Sequence, residues 1–236
     1  MQDEDRNELY ERYRKRWEQY GYDSRTLGWN KDCQWVRFDA AFEGLREEDF
    51  ESVLDVGCGF GDLLGYLRSK GWRGRYTGLD LMDELIQEAR KRYSTDSAAE
   101  FFRDDIAAFD RSGKSNMAVA VGVFNHRLHQ DNLDFVRETV EKMWNLTTRV
   151  VVCDFLSISA DVERREHELY YADPARLYQF ASGFSRRIMI HHAYMPFEFQ
   201  IKIWHDDDFQ RSAPVFAPYS YLASAQTQWR KRLASA

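Results

Sequence analysis

The sequence contains few cysteines, no long apolar run and no excess of positive charge. Its three cysteines, Cys33, Cys58 and Cys153, are scattered and form no Cys-x-x-Cys pair, which predicts reduced thiols rather than disulfides or structural zinc. The longest apolar stretch, MAVAVGVF at residues 117–124, is far shorter than a bilayer span. Because the first residues, MQDEDRNELY, also lack the apolar core of a signal peptide, we expect a cytoplasmic protein with no membrane partner.

The charge balance argues against a nucleic-acid partner. The chain has 33 Lys and Arg against 39 Asp and Glu, a net charge of −6, so no overall basic field attracts phosphate backbones. The basic run ERYRKRWEQY near the N-terminus is flanked by acids and follows a helical pattern. We interpret it as the solvated face of an amphipathic helix with a buried aromatic stripe.

The hydrophobic periodicity predicts one α/β domain. With 236 residues, 44% of them hydrophobic, the chain can bury one sizeable core. Two helical patterns come first, and strands then alternate with helices, an order that favours a parallel sheet covered on both faces. The predicted strands are SVLDV, RYTGLD, EFFRD, MAVAVGVF and RVVVCDF. A closing pair, RRIMIHHAY and FEFQIKIW, is joined only by Met195 and Pro196, which permits antiparallel neighbours alone.

These patterns divide the chain into three segments. Residues 1–50 are expected to form an N-terminal helical cap, with aromatic stripes at Leu9, Tyr13 and Trp17 and again from Trp35 onward. Residues 51–205 form the α/β domain, and residues 206–236 form a C-terminal tail without a periodicity that predicts structure.

The stretch SVLDVGCGFGDLL at residues 52–64 places three glycines between the first strand and the first helix of the domain. Such a turn lets backbone N–H groups approach a ligand closely. A dinucleotide fingerprint would need a glycine at Asp62 or Leu64, and no GK[ST] of a P-loop is present. Since Asp55 stands just before the glycines, the loop favours a cationic ligand.

The next two strands end in further acids. Asp80 closes the second strand, where a carboxylate accepts hydrogen bonds from ribose hydroxyls. Asp105 and Ile106 follow the third strand and offer an acceptor and an apolar surface to an adenine ring, although Asp104 is an alternative to Asp105. Sites for an amino acid, a ribose and an adenine in one row match S-adenosylmethionine.

The motifs VLDVGCGFGDLL, YTGLDLMDELIQEA and FFRDDI, in this order, resemble those of class I S-adenosylmethionine-dependent methyltransferases. The resemblance implies a Rossmann-like, seven-stranded, mostly parallel sheet with helices on both faces and an antiparallel last strand inserted beside its neighbours. The segment LGWNKDCQWVRF before the core also resembles small bacterial methyltransferases, in which Arg37 would pair with the methionine carboxylate. The cofactor-binding residues implied by the resemblance are Trp29, Gln34, Arg37, Asp55, Gly57, Cys58, Gly59, Gly61, Asp80, Leu81, Asp105 and Ile106.

Methyl transfer needs a positioned acceptor and, where the acceptor has a proton to lose, a group that removes it. The acceptor site is expected above the ends of the fourth and fifth strands, at the point where the strand order reverses. Candidate bases are His192, His191 and His126, because histidine titrates near neutrality, although neighbouring strand residues such as His191 and His192 face opposite sides. Candidate substrate-binding residues are Asn125, Tyr171 and Tyr194.

No metal is expected, and the methyl acceptor is predicted to be small. His126 and His129 have helical spacing but no convincing third ligand. The fourth strand ends in FNHR, which lacks the prolines of the motif [ND]PP[YFW] used on the amino groups of bases. A cap of about fifty residues suggests a sugar or secondary metabolite methylated on oxygen or nitrogen, by a monomer or homodimer. The alternatives are a protein or RNA methyltransferase and a non-catalytic cofactor-binding module.

Overall fold

The computed structural model describes residues 1–28, 31–110 and 113–206, and only the backbone of residues 31–33. Within these residues the strands are β1 Ser52–Val56, β2 Arg75–Asp80, β3 Ala99–Arg103, β4 Ser115–Ala120, β5 Thr147–Leu156, β6 Ile188–Met195 and β7 Glu198–Trp204. The α-helices are α1 Asp3–Tyr20, α2 Lys31–Phe42, α3 Asp62–Ser69, α4 Asp83–Arg92, α5 Asn132–Asn145 and α6 Pro174–Ala181. Two short 3-10 helices span Glu47–Asp49 and Val162–Arg164. None of the helices in these ranges has the length and apolarity needed to cross a membrane.

All seven strands form one sheet in the order β3-β2-β1-β4-β5-β7-β6. Strands β1 to β5 are mutually parallel, whereas β7 runs antiparallel to both β5 and β6. The last strand in the chain is therefore inserted between β5 and β6, which confirms the fold expected from the resemblance. The carboxyl ends of β1, β2 and β4 meet at one edge, and the strand order reverses between β1 and β4.

Helices cover both faces of the sheet, as parallel strands with crossover connections require. Helices α5 and α6 bury apolar side chains such as Val136, Val140 and Leu177 against one face. Helices α2, α3 and α4 cover the other face with residues that include Phe38 and Leu64. Because both faces are covered, every residue of β1 is buried.

Strand β4 is shorter than its apolar pattern predicts. The pattern runs through Phe124, but the strand ends at Ala120. Gly122 adopts a positive φ of 80°, and its N–H donates to Asp154 Oδ1 at 2.6 Å. A carboxylate on β5 thus takes the N–H that would otherwise continue the sheet, and the chain turns away at the edge where the strand order reverses.

Helix α2 is bound to the sheet by a row of polar side chains on β7. Glu198, Gln200 and Lys202 alternate along the strand, so they share the face that packs against α2. Glu198 pairs with Arg37, and Gln200 Nε2 donates to the Arg37 carbonyl at 2.9 Å. Lys202 Nζ donates to the Ala40 carbonyl at 2.7 Å, near the end of α2, where carbonyls lack partners within the helix. The position of α2 is therefore fixed by directional bonds as well as by apolar packing.

Candidate active site

A cavity lies at the carboxyl ends of β1, β2 and β4, between the glycine loop and the two N-terminal helices. Its floor consists of residues 55–59, 79–82, 104–106 and 121–123. Its roof is contributed by the N-terminal segment, through residues that include Met1, Leu9, Tyr10, Tyr13, Gln34 and Phe38. The location is where open α/β sheets bind ligands.

The glycine loop adopts a conformation that side chains would disrupt. Gly57 has a φ of +74°, and a Cβ there would lie 2.6 Å from the Val123 side chain. Gly61 precedes α3 with a φ of +72°, and a Cβ there would lie 2.9 Å from the rings of Phe101 and Tyr93. Both positions therefore require glycine to keep the loop against its neighbours while its backbone lines the cavity.

Asp55 places a buried carboxyl group on the cavity floor. Its Oδ2 accepts a hydrogen bond from the hydroxyl of Tyr76, which is itself buried on β2. Burial raises the pKa of Asp55 to about 7, although the Tyr76 hydrogen bond acts in the opposite direction. A cation bound beside Asp55 would favour the ionised form and recover part of the cost of burying it.

Asp80 is held rigidly at the end of β2. Its Oδ2 accepts from Gly59 N at 2.9 Å and its Oδ1 from Met82 N at 2.9 Å. Burial raises the pKa of this carboxyl above its ordinary value. Since each carboxylate oxygen has two lone pairs, both oxygens can still accept from a pair of neighbouring hydroxyls.

The carboxyl groups that follow β3 are held by the backbone and by α1. Asp105 Oδ1 accepts from Ala107 N at 3.0 Å, and Asp105 Oδ2 accepts from Arg6 Nη2 at 2.7 Å. Asp104 Oδ1 accepts from the Asp105 N–H at 2.9 Å. Both acids line the cavity beside Ile106, so either can meet a ring placed there.

Helix α1 closes over the cavity through polar contacts with the loop before α5. The buried carboxylate of Asp5 accepts from His129 N at 2.6 Å and from Gln130 N at 3.3 Å. Tyr10, Tyr13 and Trp17 also pack against a small apolar cluster at the end of the glycine loop. The helix is therefore bound on two sides, by directional bonds and by its aromatic stripe.

Comparison with known proteins identifies the family. A family model described as a methyltransferase domain matches residues 53–149. The putative methyltransferase Rv1506c of Mycobacterium tuberculosis is 30% identical over 156 residues, which cover 64% of this chain and 92% of that protein. The chain belongs to the class I S-adenosylmethionine-dependent methyltransferases.

Two solved methyltransferase structures share the fold. Magnesium protoporphyrin IX methyltransferase from Synechocystis, with bound S-adenosylhomocysteine, has a TM-score of 0.57 at 15% identity and covers 84% of this chain and 94% of its own. The DhpI complex with S-adenosylhomocysteine has a TM-score of 0.56 at 18% identity and covers 80% and 91%. At these identities the likeness concerns the fold alone.

The methyltransferase brings most of the predicted site residues to the cavity. Those that line it are Gln34, Asp55, Gly57, Cys58, Gly59, Asp80, Leu81, Asp105, Ile106 and His126. Gly61 instead is the N-cap residue of α3, and Trp29 lies outside the described residues. The lining does not include Arg37, Asn125, Tyr171, His191, His192 or Tyr194. The individual roles of all these residues remain predictions.

His126 lies in the cavity wall, but its ring nitrogens are both engaged. Arg12 Nη1 lies 3.3 Å from Nδ1, and the Tyr13 hydroxyl lies 3.4 Å from Nε2. Since guanidinium only donates, Nδ1 accepts and we assign the ring proton to Nε2. Burial, followed by the charge of Arg12, lowers the pKa of His126 to about 4. In this conformation the methyltransferase has no open imidazole nitrogen at His126.

His191 and His192 point to opposite faces of β6. His191 Nε2 lies 3.5 Å from Glu43 Oε2 on the α2 side, whereas the His192 ring stacks near Phe199 at a centroid distance of 6.0 Å. The Tyr194 ring lies 5.3 Å from that of His191. Of the two histidines, His191 is the one on the side of α2, which also contributes Gln34 and Phe38 to the cavity.

Asn125 and Tyr171 are held in the loops above β4 and β5. The Asn125 carbonyl accepts from Tyr170 N at 3.0 Å, and Asn125 Oδ1 is buried without a partner among the described residues. The Tyr171 hydroxyl accepts from Glu166 N at 3.0 Å. Tyr171 therefore fastens its own loop in this structure.

Arg37 pairs with two acids that the sequence pattern did not bring together. Its Nη2 contacts Glu198, and its Nε lies 3.8 Å from Asp154 Oδ2. A methionine carboxylate at Arg37 would have to share the guanidinium with these two groups. Glu198 was not among the predicted site residues, although the alternating polar residues of FEFQIKIW indicate that one face of this strand meets polar partners.

Proposed function

We propose that the protein transfers a methyl group from S-adenosylmethionine to an oxygen or nitrogen atom of a small molecule, such as a sugar or secondary metabolite. The observation that carries this proposal is the cavity itself, where Asp55, the glycine loop and Asp80 lie in a row under α1. Membership of the family indicates methyl transfer as the reaction. The N-terminal cap over the cavity favours a small acceptor.

The residues of the cavity fit this cofactor. Asp55 offers a buried carboxylate to the cationic methionine end, and the backbone of Gly57, whose φ of +74° suits glycine, lines the cavity beside it. Asp80 retains acceptor capacity for the two ribose hydroxyls. Asp105, or Asp104 in its place, and the apolar side chains of Leu81 and Ile106 are then available to the adenine.

Methyl transfer from an activated donor requires few catalytic groups from the protein. Bound S-adenosylmethionine supplies a methyl group activated by its sulfonium. The protein contributes by orienting the acceptor, by excluding water and by accepting a proton where the acceptor loses one. Helix α1 helps to exclude water, because Tyr10 and Tyr13 cover the cavity and the Asp5 carboxylate holds the helix in place.

A roof of this kind favours a small acceptor. An extended protein or RNA substrate needs an open groove, whereas the helices of residues 1–50 lie directly over the strand ends. Part of the proposal is the division into this cap, a cofactor-binding domain at residues 51–205 and a tail at residues 206–236, of which residues 207–236 lie outside the described residues. The net charge of −6 also disfavours RNA.

Two measurements test the proposal. Calorimetric titration with S-adenosylhomocysteine, with NAD as comparator, should give binding of the former alone. Incubation with methyl-labelled S-adenosylmethionine and a cell extract, followed by filtration through a membrane that retains macromolecules and chromatography of the filtrate to remove unreacted donor, should give a new labelled small molecule. Label retained in protein or RNA would favour those acceptors, and cofactor binding without any transferred label would indicate a non-catalytic module.

A further inference from the structure

The end of the cavity next to Asp55 has an evident partner for an ammonium group but not for a carboxylate. The Asp55 carboxyl on the floor suits the ammonium of an amino acid. The methionine part of the cofactor also carries a carboxylate, which needs a cation or hydrogen-bond donors when it leaves water. The group that supplies them determines how the methyltransferase holds the reacting end of its cofactor.

The backbone N–H groups of the glycine loop are already bonded within the protein. Gly57 N and Cys58 N both donate to the Leu79 carbonyl at 2.8 Å. Gly59 N donates to Asp80 Oδ2 at 2.9 Å. These three N–H groups are therefore engaged with the floor itself, and a carboxylate above the loop has to find its donors elsewhere.

No lysine or arginine is among the cavity-lining side chains in the described part of the chain. Arg37 lies outside the lining, where two buried acids hold its guanidinium. The amino terminus lies at the adenine end, because Arg6 Nη2 contacts both the Met1 carbonyl and Asp105 Oδ2. A carboxylate beside Asp55 would thus meet neutral donors.

The roof supplies one such donor at Tyr13, whose hydroxyl is oriented by the loop after β4. Arg12 Nη1 donates to His126 Nδ1, so the ring proton lies on Nε2 and is shared with the Tyr13 oxygen, 3.4 Å away. The rings of Tyr13 and His126 meet edge to face at a centroid distance of 6.0 Å. Burial raises the pKa of Tyr13, so the hydroxyl keeps its proton. Because its oxygen accepts from His126, its own O–H is left to donate into the cavity.

The second neutral donor is the amide of Gln34, in the first turn of α2. The side chain lines the cavity and is only 7% exposed. The amide forms no hydrogen bond with the described residues, although a buried amide without a partner costs free energy. Phe38, one turn further along α2, also lines the cavity, so this face of the helix meets the ligand. A carboxylate would accept from the two N–H donors of the Gln34 amide.

We propose that the hydroxyl of Tyr13 and the amide of Gln34 bind the methionine carboxylate of the cofactor, with His126 as the residue that positions Tyr13. This inference rests on the proposed function, since it concerns the cofactor of the same site. The ammonium group then contacts Asp55 on the floor, and the carboxylate contacts two neutral donors of the roof. The pair takes the role that the sequence pattern gave to Arg37.

The experiment compares S-adenosylhomocysteine with its decarboxylated analogue, which keeps the ammonium group. Each compound is titrated calorimetrically into the full-length protein. Wild type should bind S-adenosylhomocysteine with a Kd at least about tenfold lower, as expected for hydrogen bonds to a charged group. Tyr13→Phe and Gln34→Leu should each weaken its binding about tenfold and leave the Kd of the analogue unchanged. His126→Leu should reduce the discrimination less, and should add no further loss in the Tyr13→Phe background.

Tyr10→Phe is the matched control, since Tyr10 packs on the same apolar cluster as Tyr13 but lies one turn nearer the adenine end. It should leave the discrimination unchanged. Should Gln34→Leu fail to fold, Tyr13→Phe still decides. Unchanged discrimination in Tyr13→Phe, or its loss in Arg37→Gln or Lys31→Gln without loss in Tyr13→Phe, would overturn the proposal. A wild type that binds neither compound would contradict the proposed function instead.

Discussion

The hydroxyl of Tyr76 on β2 donates a hydrogen bond to the carboxyl group of Asp55 on the neighbouring strand β1. Both side chains are buried, and Asp55 lines the cavity. Tyr76 thereby offsets part of the burial effect that raises the pKa of Asp55. Tyr76, a core residue, thus influences the ionisation of Asp55, a carboxyl group that we expect to contact the cofactor.

Replacing Tyr76 with phenylalanine should therefore lower both stability and cofactor affinity. Asp55 Oδ2 would lose a buried partner, which costs about 1 to 3 kcal/mol in the free energy of unfolding. The pKa of Asp55 would rise further, so less of the ionised form would be available to a cation at neutral pH. Urea unfolding and calorimetric titration with S-adenosylhomocysteine measure the two effects.

Tyr66→Phe is the control for this change. The Tyr66 hydroxyl bonds Asp39 on α2, whose side chain is exposed and outside the cavity. We expect a smaller loss of stability and an unchanged Kd for S-adenosylhomocysteine. Equal effects of the two variants on affinity would show that Tyr76 does not act through Asp55.

Cofactor affinity should depend on pH through Asp55. Burial raises the pKa of Asp55 to about 7 in the ligand-free protein, and a cation binds the ionised form. Affinity should therefore be constant above this pH and fall by up to about tenfold per pH unit below it. Isothermal titrations of wild type and Asp55→Asn at pH values around 7 isolate the contribution of Asp55 to the pH dependence of affinity. Protonation of the ligand itself affects both proteins equally.

The raised pKa of Asp55 should make the ligand-free protein less stable as the pH increases, whereas cofactor affinity should increase. An acid with a raised pKa in the folded state binds more protons folded than unfolded. Its stabilising contribution is fully present below the unfolded pKa and is lost as the pH rises through about 7. Asp154, whose pKa burial also raises to about 7, acts in the same direction. A ligand-free wild type whose stability rose with pH more steeply than that of Asp55→Asn would contradict this assignment.

The sequence predicts this fold where its signals are local. Strands β1 and β2 follow their apolar patterns residue for residue, and the short link at Met195 and Pro196 predicts the antiparallel pairing of β6 with β7. The acids at the ends of β1 and β2 reach one cavity because the carboxyl ends of parallel strands share an edge.

The remaining features depend on contacts between distant segments. Arg37 and Glu198 are 161 residues apart in the chain. The sequence pattern around either residue does not predict that the two side chains pair. The apolar run beyond Ala120 reads as strand, but the strand ends because a carboxyl on β5 takes the Gly122 N–H. The pKa of His126 is likewise lowered by burial and then by the charge of Arg12 on α1, a contact that only the docked helix creates.

The turn into α3 offers a test of the glycine requirement. Gly61→Ala would force a non-glycine residue to a φ of +72° and place its Cβ 2.9 Å from Phe101 and Tyr93. Gly71 has a similar φ of +88°, but nothing lies within 4 Å of its Cβ position. Gly71→Ala should therefore cost about 1 kcal/mol from backbone strain alone, and Gly61→Ala clearly more. Urea unfolding of the two variants separates steric contact from strain, and equal losses would mean that the rings of Phe101 and Tyr93 move aside.

The Asp5 carboxylate should contribute measurably to the closure of α1 over the cavity. Asp5 accepts from the backbone N–H groups of His129 and Gln130 and is buried, so Asp5→Ala leaves two donors without their partner. Such a loss costs about 1 to 3 kcal/mol, which should speed hydrogen exchange in the second half of α1 about tenfold and raise the off-rate of S-adenosylhomocysteine. Asp3→Ala is the matched control, because Asp3 is exposed and pairs with nearby Arg6, an interaction of little net worth. If both variants exchange like wild type, α1 is held by its aromatic stripe instead, and Tyr13→Ala would then be the change that opens the roof.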